Sequence, residues 1–141
     1  MKKIIFITTI LLFLTIQNLY GQSFKVIVNE ANAVTEISKN DLSAIFLKTT
    51  TRWEDGTTIE PVDLNARSAT RESFSQEVHG RGVGAIRSHW QQAAFSGAGT
   101  APLERGSDEE VLAFVRANPG AIGYISESAD ASGVKIVTIN N

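Results

Sequence analysis

Residues 59–74, IEPVDLNARSATRESF, are the most informative segment of this sequence. An extended segment, Ile59–Leu64, passes through the polar turn Asn65–Thr70 directly into a helix that we expect over Ser68–Val78. A strand that leads through a short turn into a helix is the unit from which α/β domains are built. The turn lies where the strand ends, which is the edge at which such sheets bind ligands.

The start of this helix is the candidate functional site. The first backbone N–H groups of a helix have no partner inside it, and the positive end of the helix dipole lies there. With the hydroxyls of Ser68 and Thr70 and the amide of Ala69, they form a pocket for an oxyanion such as phosphate or sulfate. Arg67 and Arg71 flank the turn, and an arginine fork suits a tetrahedral oxyanion. The alternatives are a plain serine N-cap and two arginines that simply face solvent.

The rest of the chain continues the alternation of strands and helices. Ser38 and Ser107 each precede an acidic residue by three positions and an apolar stripe, which predicts two further capped helices. A helix is also predicted over 84–95, and strands over 24–29, 121–125 and 134–139. This order indicates an α/β domain with helices on both faces of a mostly parallel, possibly mixed, sheet.

The N-terminus predicts export. Residues 1–21 combine Lys2 and Lys3 with a short apolar run and a small residue at Gly21, as in a secretory signal peptide, an uncleaved anchor being the alternative. The remaining residues, 22–141, suffice for one domain. Without the two lysines the 13 basic residues fall to 11 against 15 acidic ones, a net charge of −4. That charge argues against a nucleic acid or an anionic membrane as partner.

Several kinds of chemistry lack residues to carry them. The chain has no cysteine, so disulfides and thiol catalysis are excluded. The two histidines, His79 and His89, show no metal-ligand pattern, and the glycine-rich stretch 79–84 lacks the Lys-Ser/Thr of a phosphate-binding loop. No strained G-x-S-x-G nucleophile motif occurs. We therefore expect a protein that is not an enzyme and that needs no cofactor or metal.

Four segments together resemble the periplasmic phosphate-binding proteins of ABC transporters. They are DLSAIFLKTTTRWEDG (41–56), SATRESF (68–74), a helix that carries Trp90 followed by Phe95, and FVRANPGAIGYI (114–125). Their order and spacing match that family over nearly all of residues 24–139, and 118–124 is the most specific stretch. The resemblance implies a single lobe of the type II periplasmic-binding-protein fold.

The resemblance also implies a phosphate site on particular residues. It places the family's phosphate-contacting Ser-Gly-Thr on Ser68, Ala69 and Thr70. Leu64 stands where the family usually has an arginine, and Ala69 stands where it has glycine, so both departures bear on the strength of binding. Asp63, next to Leu64, would repel a dianion unless it accepted a hydrogen bond from a protonated one.

These observations lead to one expected function and one alternative. We expect an exported, periplasmic oxyanion-binding protein related to the substrate-binding component of phosphate transport. Its partners would be inorganic phosphate or a similar oxyanion, with a membrane permease, an envelope protein or a second copy of the chain. A one-lobe site leaves the anion hydrated, so we expect binding that is at best roughly millimolar, about 4 kcal/mol. The alternative is an interaction or sensory module that keeps the fold without the ligand.

Overall fold

The structure is a computed structural model that describes residues 23–141. The predicted signal peptide, residues 1–21, lies outside this range. Within the range, the structure contains no helix with the length and apolar character of a membrane span.

Strands and helices alternate along the described chain. The strands are β1 (Phe24–Val28), β2 (Glu36–Ser38), β3 (Glu60–Leu64), β4 (Leu103–Arg105), β5 (Ala121–Ser126) and β6 (Lys135–Asn140). The helices are α1 (Lys39–Phe46), α2 (Ala69–Phe74), α3 (Val83–Ser96) and α4 (Asp108–Ala117), and a π-helical turn (Ser75–His79) continues α2. The short strands β2 and β4 and the π turn are features that the sequence analysis did not predict.

The six strands form one mixed sheet in the order β2-β6-β1-β5-β3-β4. Strand β1 is antiparallel to both of its neighbours, β5 and β6. The pairs β2–β6, β3–β5 and β3–β4 are parallel, so every strand except β1 runs in the same direction. This confirms the predicted mostly parallel or mixed sheet.

The two faces of the sheet are covered by different helices. On one face, Tyr124 of β5 stacks on Phe74 of α2 with ring centroids 3.9 Å apart, and Phe46 of α1 packs against the same Phe74 ring at 4.8 Å. On the other face lies α4, where a Cβ at Gly123 would come within 2.8 Å of the Val111 side chain. Helices on both faces, as predicted, therefore bury residues 121–125 of β5 between them.

Serine caps fix where three helices begin. Ser38, Ser68 and Ser107 each accept a hydrogen bond through Oγ from the backbone N–H three residues later, at 3.1–3.2 Å. Each cap satisfies a donor that the helix itself leaves free, which confirms the three helix starts expected from the sequence.

The backbone around Gly120 leaves no room for a side chain. A Cβ there would lie 2.1 Å from the Thr58 carbonyl oxygen. The Gly120 carbonyl also accepts hydrogen bonds from Glu60 N and Trp53 Nε1, both at 3.0 Å. Gly120→Ala must displace this backbone contact, so we expect the free energy of unfolding in urea to fall by about 3 kcal/mol.

The matched control for this prediction is Gly84→Ala. A Cβ at Gly84, in α3, would meet no heavy atom within 4 Å apart from its chain neighbours and the backbone of its own helix. Alanine favours a helix over glycine by up to about 1 kcal/mol, so this variant should be as stable as the wild type or slightly more so. Equal destabilisation by the two substitutions would contradict the packing argument.

Candidate functional site

An open cleft of about 530 Å³ lies beyond the carboxyl ends of three strands. Strand β3 is parallel to both β4 and β5, so the loops that follow these strands meet at one edge of the sheet. Open α/β sheets bind their ligands at this edge. The cleft is lined by Leu64, Asn65, Arg67, Ser68, Thr70, Gly106, Ser107, Asp108 and Ser126.

One wall of the cleft is the turn between β3 and α2, which its own hydrogen bonds shape. Asn65 accepts at Oδ1 from Arg67 N (3.0 Å) and at its carbonyl from Ser68 N (3.1 Å). Asn65 N donates to the Arg105 carbonyl at 3.0 Å, which ties the turn to the end of β4. Ser68 Oγ accepts from the Arg71 amide, so the hydroxyl proton of Ser68 stays available to a ligand.

The structure brings three of the five predicted site residues to the cleft. Arg67, Ser68 and Thr70 line it, Arg67 being exposed and the other two half-buried. Ala69 is exposed at the first position of α2 and is not part of the lining. Arg71 lies elsewhere, with only 4% of its surface exposed.

The Arg71 guanidinium points into the protein, where it joins three elements. Its Nη1 donates to the carbonyl of Leu64 at 3.1 Å and to Glu104 Oε1 at 2.5 Å, and its Nη2 lies 3.9 Å from Asp63 Oδ2. Arg71 thus connects the start of α2 to the ends of β3 and β4. A direct contact between Arg71 and a bound anion remains a prediction, whereas this internal role is observed.

The sequence does contain a signal for the inward direction of Arg71. Arg71, Phe74 and Val78 follow the i, i+3, i+7 spacing of one helical face, and all three are buried. Arg67 precedes the helix and is not on that face. The helix start at Ser68 and the helical period together therefore separate the interior arginine from the exposed one.

Asp63 is also an interior residue and not a member of the cleft. It is 6% exposed, and its Oδ1 accepts a hydrogen bond of 2.7 Å from the Tyr124 hydroxyl. Burial raises the pKa of Asp63 to about 6, against the opposing effects of the Arg71 charge and the Tyr124 hydrogen bond. The repulsion that the sequence suggested between Asp63 and an anion is therefore reduced, because Asp63 does not line the cleft and lies beside the Arg71 charge.

The opposite wall of the cleft is lined by Gly106, Ser107, Asp108 and Ser126, none of which was predicted as a site residue. Asp108, at the start of α4, accepts two hydrogen bonds from Ser126 at the end of β5: one from the amide at 3.1 Å and one from Oγ at 2.6 Å. The Ser107 cap signal located the start of α4. Its contact with β5 depends on tertiary packing and has no local sequence signal.

The described residues offer no alternative metal centre. Across 23–141, no three side chains of His, Cys, Asp or Glu come together in a group that could hold a metal ion. His79 instead shares a 2.7 Å hydrogen bond between its Nδ1 and Ser43 Oγ.

Comparisons with known proteins agree with this architecture. A family model described as the PBP superfamily domain matches residues 19–138. A search of curated proteins finds no match.

Solved structures of phosphate-transport proteins share the fold. An ABC-type phosphate transport receptor from Vibrio cholerae is 22% identical with a TM-score of 0.63, over 85% of this chain and 48% of its own. A protein from Clostridium perfringens, described as a phosphate ABC transporter substrate-binding protein and solved with bound phosphate, is 21% identical with a TM-score of 0.66, over 83% and 44%. PstS from Borrelia burgdorferi is 15% identical with a TM-score of 0.59, over 84% and 47%. The chain thus spans about half the length of these structures, and the resemblance seen in the sequence is confirmed for family and fold.

The buried Asp63 predicts a specific dependence of stability on pH. Its pKa in the folded protein, about 6, lies above the ordinary value of 3.8. Its contribution to stability is therefore fully present below pH 3.8 and is lost as the pH rises through 6, by up to about 3 kcal/mol. Between pH 4 and 7 in urea titrations, we expect the wild type to lose most of this, about 2 kcal/mol, of its free energy of unfolding relative to D63N.

His79 changes the free energy of unfolding with pH in the opposite direction to Asp63. The prediction is therefore stated as a difference between the wild type and D63N. Burial and the nearby Arg81 charge lower the pKa of His79 to about 4, so its contribution to stability is present above pH 6.5 and lost as the pH falls. His79 is common to the wild type and D63N, so its effect cancels in their difference. A difference that does not change with pH would contradict the account of Asp63.

Proposed function

The chain belongs to the PBP superfamily, and from that membership we propose that it is an exported, non-enzymatic protein that binds phosphate or a similar oxyanion. The observation that carries the proposal is the convergence of Arg67, Ser68 and Thr70 in a cleft at the carboxyl edge of the parallel strands. Arg67 supplies the charge, and the two hydroxyls supply donors that can rotate toward a tetrahedral anion. The amides of Ala69 and Thr70, in the first turn of α2, would add further donors.

The alanine at position 69 is compatible with this proposal. Among the described residues, Lys48 is the only one other than glycine with a positive φ, of 59°. Ala69 therefore has a backbone conformation that alanine adopts without strain. The exchange of glycine for alanine adds a methyl group at the edge of the cleft without distorting the turn.

The strength of binding follows from the charges in the cleft. Arg67 is exposed to water, and Asp108 places a carboxylate on the opposite wall. Exposed charge pairs contribute at most about 1 kcal/mol, so the hydrogen bonds must provide most of the affinity. We expect a Kd of roughly a millimolar for a single chain. Much tighter binding by a dimer would indicate that a second copy covers the cleft.

Export and partners belong to the same proposal. A substrate-binding protein of this class would work in the periplasm and deliver its anion to a membrane permease. The matched structures are named as phosphate-transport proteins, and this supports phosphate as the first anion to test.

A second candidate function is contact with another envelope protein, and one observation favours it. Phe95, near the end of α3, has 98% of its surface exposed. α3 buries only Val83, Ile86 and Trp90. A fully exposed phenylalanine on a helix that packs through one narrow face offers an apolar side chain to a partner protein.

Thr70→Val tests the phosphate site because valine keeps the shape of threonine and removes its hydroxyl. We expect the Kd for phosphate, measured by ¹H–¹⁵N NMR titration, to rise about threefold to tenfold, the effect of one lost hydrogen bond. The shifts caused by phosphate in the wild type should centre on residues 65–70.

Thr138→Val is the matched control, since Thr138 is exposed on β6 and does not line the cleft. Its phosphate affinity should equal that of the wild type. Sulfate serves as the ligand control in both proteins. If Thr70→Val bound phosphate as well as the wild type does, the site assignment would be wrong.

The second candidate function predicts a contact made by Phe95. A photoreactive phenylalanine analogue at position 95 should give one discrete adduct in cells, with a yield that added phosphate does not change. The same analogue at Ser88, which is exposed on α3, is the control. Equal labelling from the two positions, or none from either, would reject this function.

A further inference from the structure

The cleft is larger than an inorganic oxyanion requires. Its volume is about 530 Å³, whereas a water molecule takes up about 30 Å³ of liquid and an oxyanion has only five heavy atoms. Cavities of roughly 300–1,000 Å³ are the size that proteins use for small organic ligands. A phosphate bound at Ser68 and Thr70 would leave most of the cleft filled with water.

The part of the cleft away from that turn has a different chemistry. Asp108 already accepts two hydrogen bonds from Ser126, but a carboxylate has about four acceptor positions. Ser126 Oγ gives its proton to Asp108, so toward a ligand it can only accept. Asp108 and Ser126 therefore present acceptors, and Ser107 beside them keeps a hydroxyl proton because its Oγ accepts from the Glu110 amide. The wall formed by Arg67, Ser68 and Thr70 presents donors.

A ligand that matches both walls must carry an anion at one end and hydrogen-bond donors at the other. A second anionic group near Asp108 would be repelled, and an apolar group would leave the remaining acceptors of Asp108 without partners. Alcohol hydroxyls fit, because each can donate a proton to Asp108 or to Ser126. Because β3 and β5 are direct neighbours, the two walls lie roughly one to two strand spacings apart, about 5–10 Å.

We propose that the cleft binds a phosphate monoester of a small polyol, with the phosphate on Arg67, Ser68 and Thr70 and the polyol hydroxyls on Asp108 and Ser126. This inference rests on the proposed function and specifies its ligand class. Inorganic phosphate occupies the donor wall alone and binds more weakly.

The test compares three ligands by NMR titration of the same protein. The probes are inorganic phosphate, glycerol 3-phosphate and propyl phosphate, the last having the same three carbons without hydroxyls. We expect glycerol 3-phosphate to bind about tenfold more tightly than propyl phosphate, the effect of two net hydrogen bonds. The ratio of these two dissociation constants isolates recognition of the hydroxyls from recognition of the phosphate.

Two variants test whether Asp108 and Ser126 recognise the hydroxyls of the ligand. Asp108→Asn and Ser126→Ala should each reduce the ratio to about threefold or less, while the Kd of inorganic phosphate stays the same or falls because D108N removes a negative charge. Glu109→Gln is the matched control, since it removes the same charge from the next residue, which is exposed and does not line the cleft. It should leave the ratio at about tenfold.

The outcomes separate the inference from the proposed function. Equal binding of glycerol 3-phosphate and propyl phosphate, with inorganic phosphate still bound, overturns the inference and leaves the phosphate function standing. Binding of none of the three overturns both. A ratio unchanged in D108N and S126A, or tighter binding of phosphoethanolamine than of glycerol 3-phosphate, overturns the assignment of hydroxyls to the Asp108 wall.

Discussion

The ion pairs of Arg71 hold the candidate site in place. A guanidinium that is 4% exposed must be compensated inside the protein, and Asp63, Glu104 and the Leu64 carbonyl do so. These contacts fasten α2 to the ends of β3 and β4. The turn between β3 and α2 is thereby held at both ends, since Leu64 precedes it and Arg71 follows it. The position of the cleft wall is thus set by charges that the ligand does not contact.

Arg67 and Arg71 both flank the turn in the sequence, but the structure places them in different surroundings. Arg71 stabilises the frame, which leaves Arg67 as the basic residue among those that line the cleft. Glu104 remains partly exposed, with 46% of its side chain accessible, so its charge is screened by water while it pairs with Arg71. The cleft consequently has little net charge, and its selectivity depends on the direction of donors and acceptors more than on the attraction of an anion.

Local signals in the sequence predicted most of the fold and only one wall of the candidate cleft. The serine caps and apolar stripes act within one or two helical turns, so the helices that begin after Ser38, Ser68 and Ser107 could be located. The three-residue strands β2 and β4 exist because longer strands offer them an edge, and no local pattern marks them. The Asp108 wall joins residues 18 positions apart, so it too required the tertiary structure.

Because the cleft is open to water, its ligand must make many contacts to bind well. In an open cleft each hydrogen bond to a ligand replaces one to water, and its net contribution is only about 1 kcal/mol. A five-atom anion can make few such bonds on one wall, so its affinity is limited by the number of contacts. A longer ligand that reaches Asp108 and Ser126 adds contacts while it displaces more water from the 530 Å³ cleft. The openness that weakens binding of a bare anion therefore favours a ligand that spans both walls.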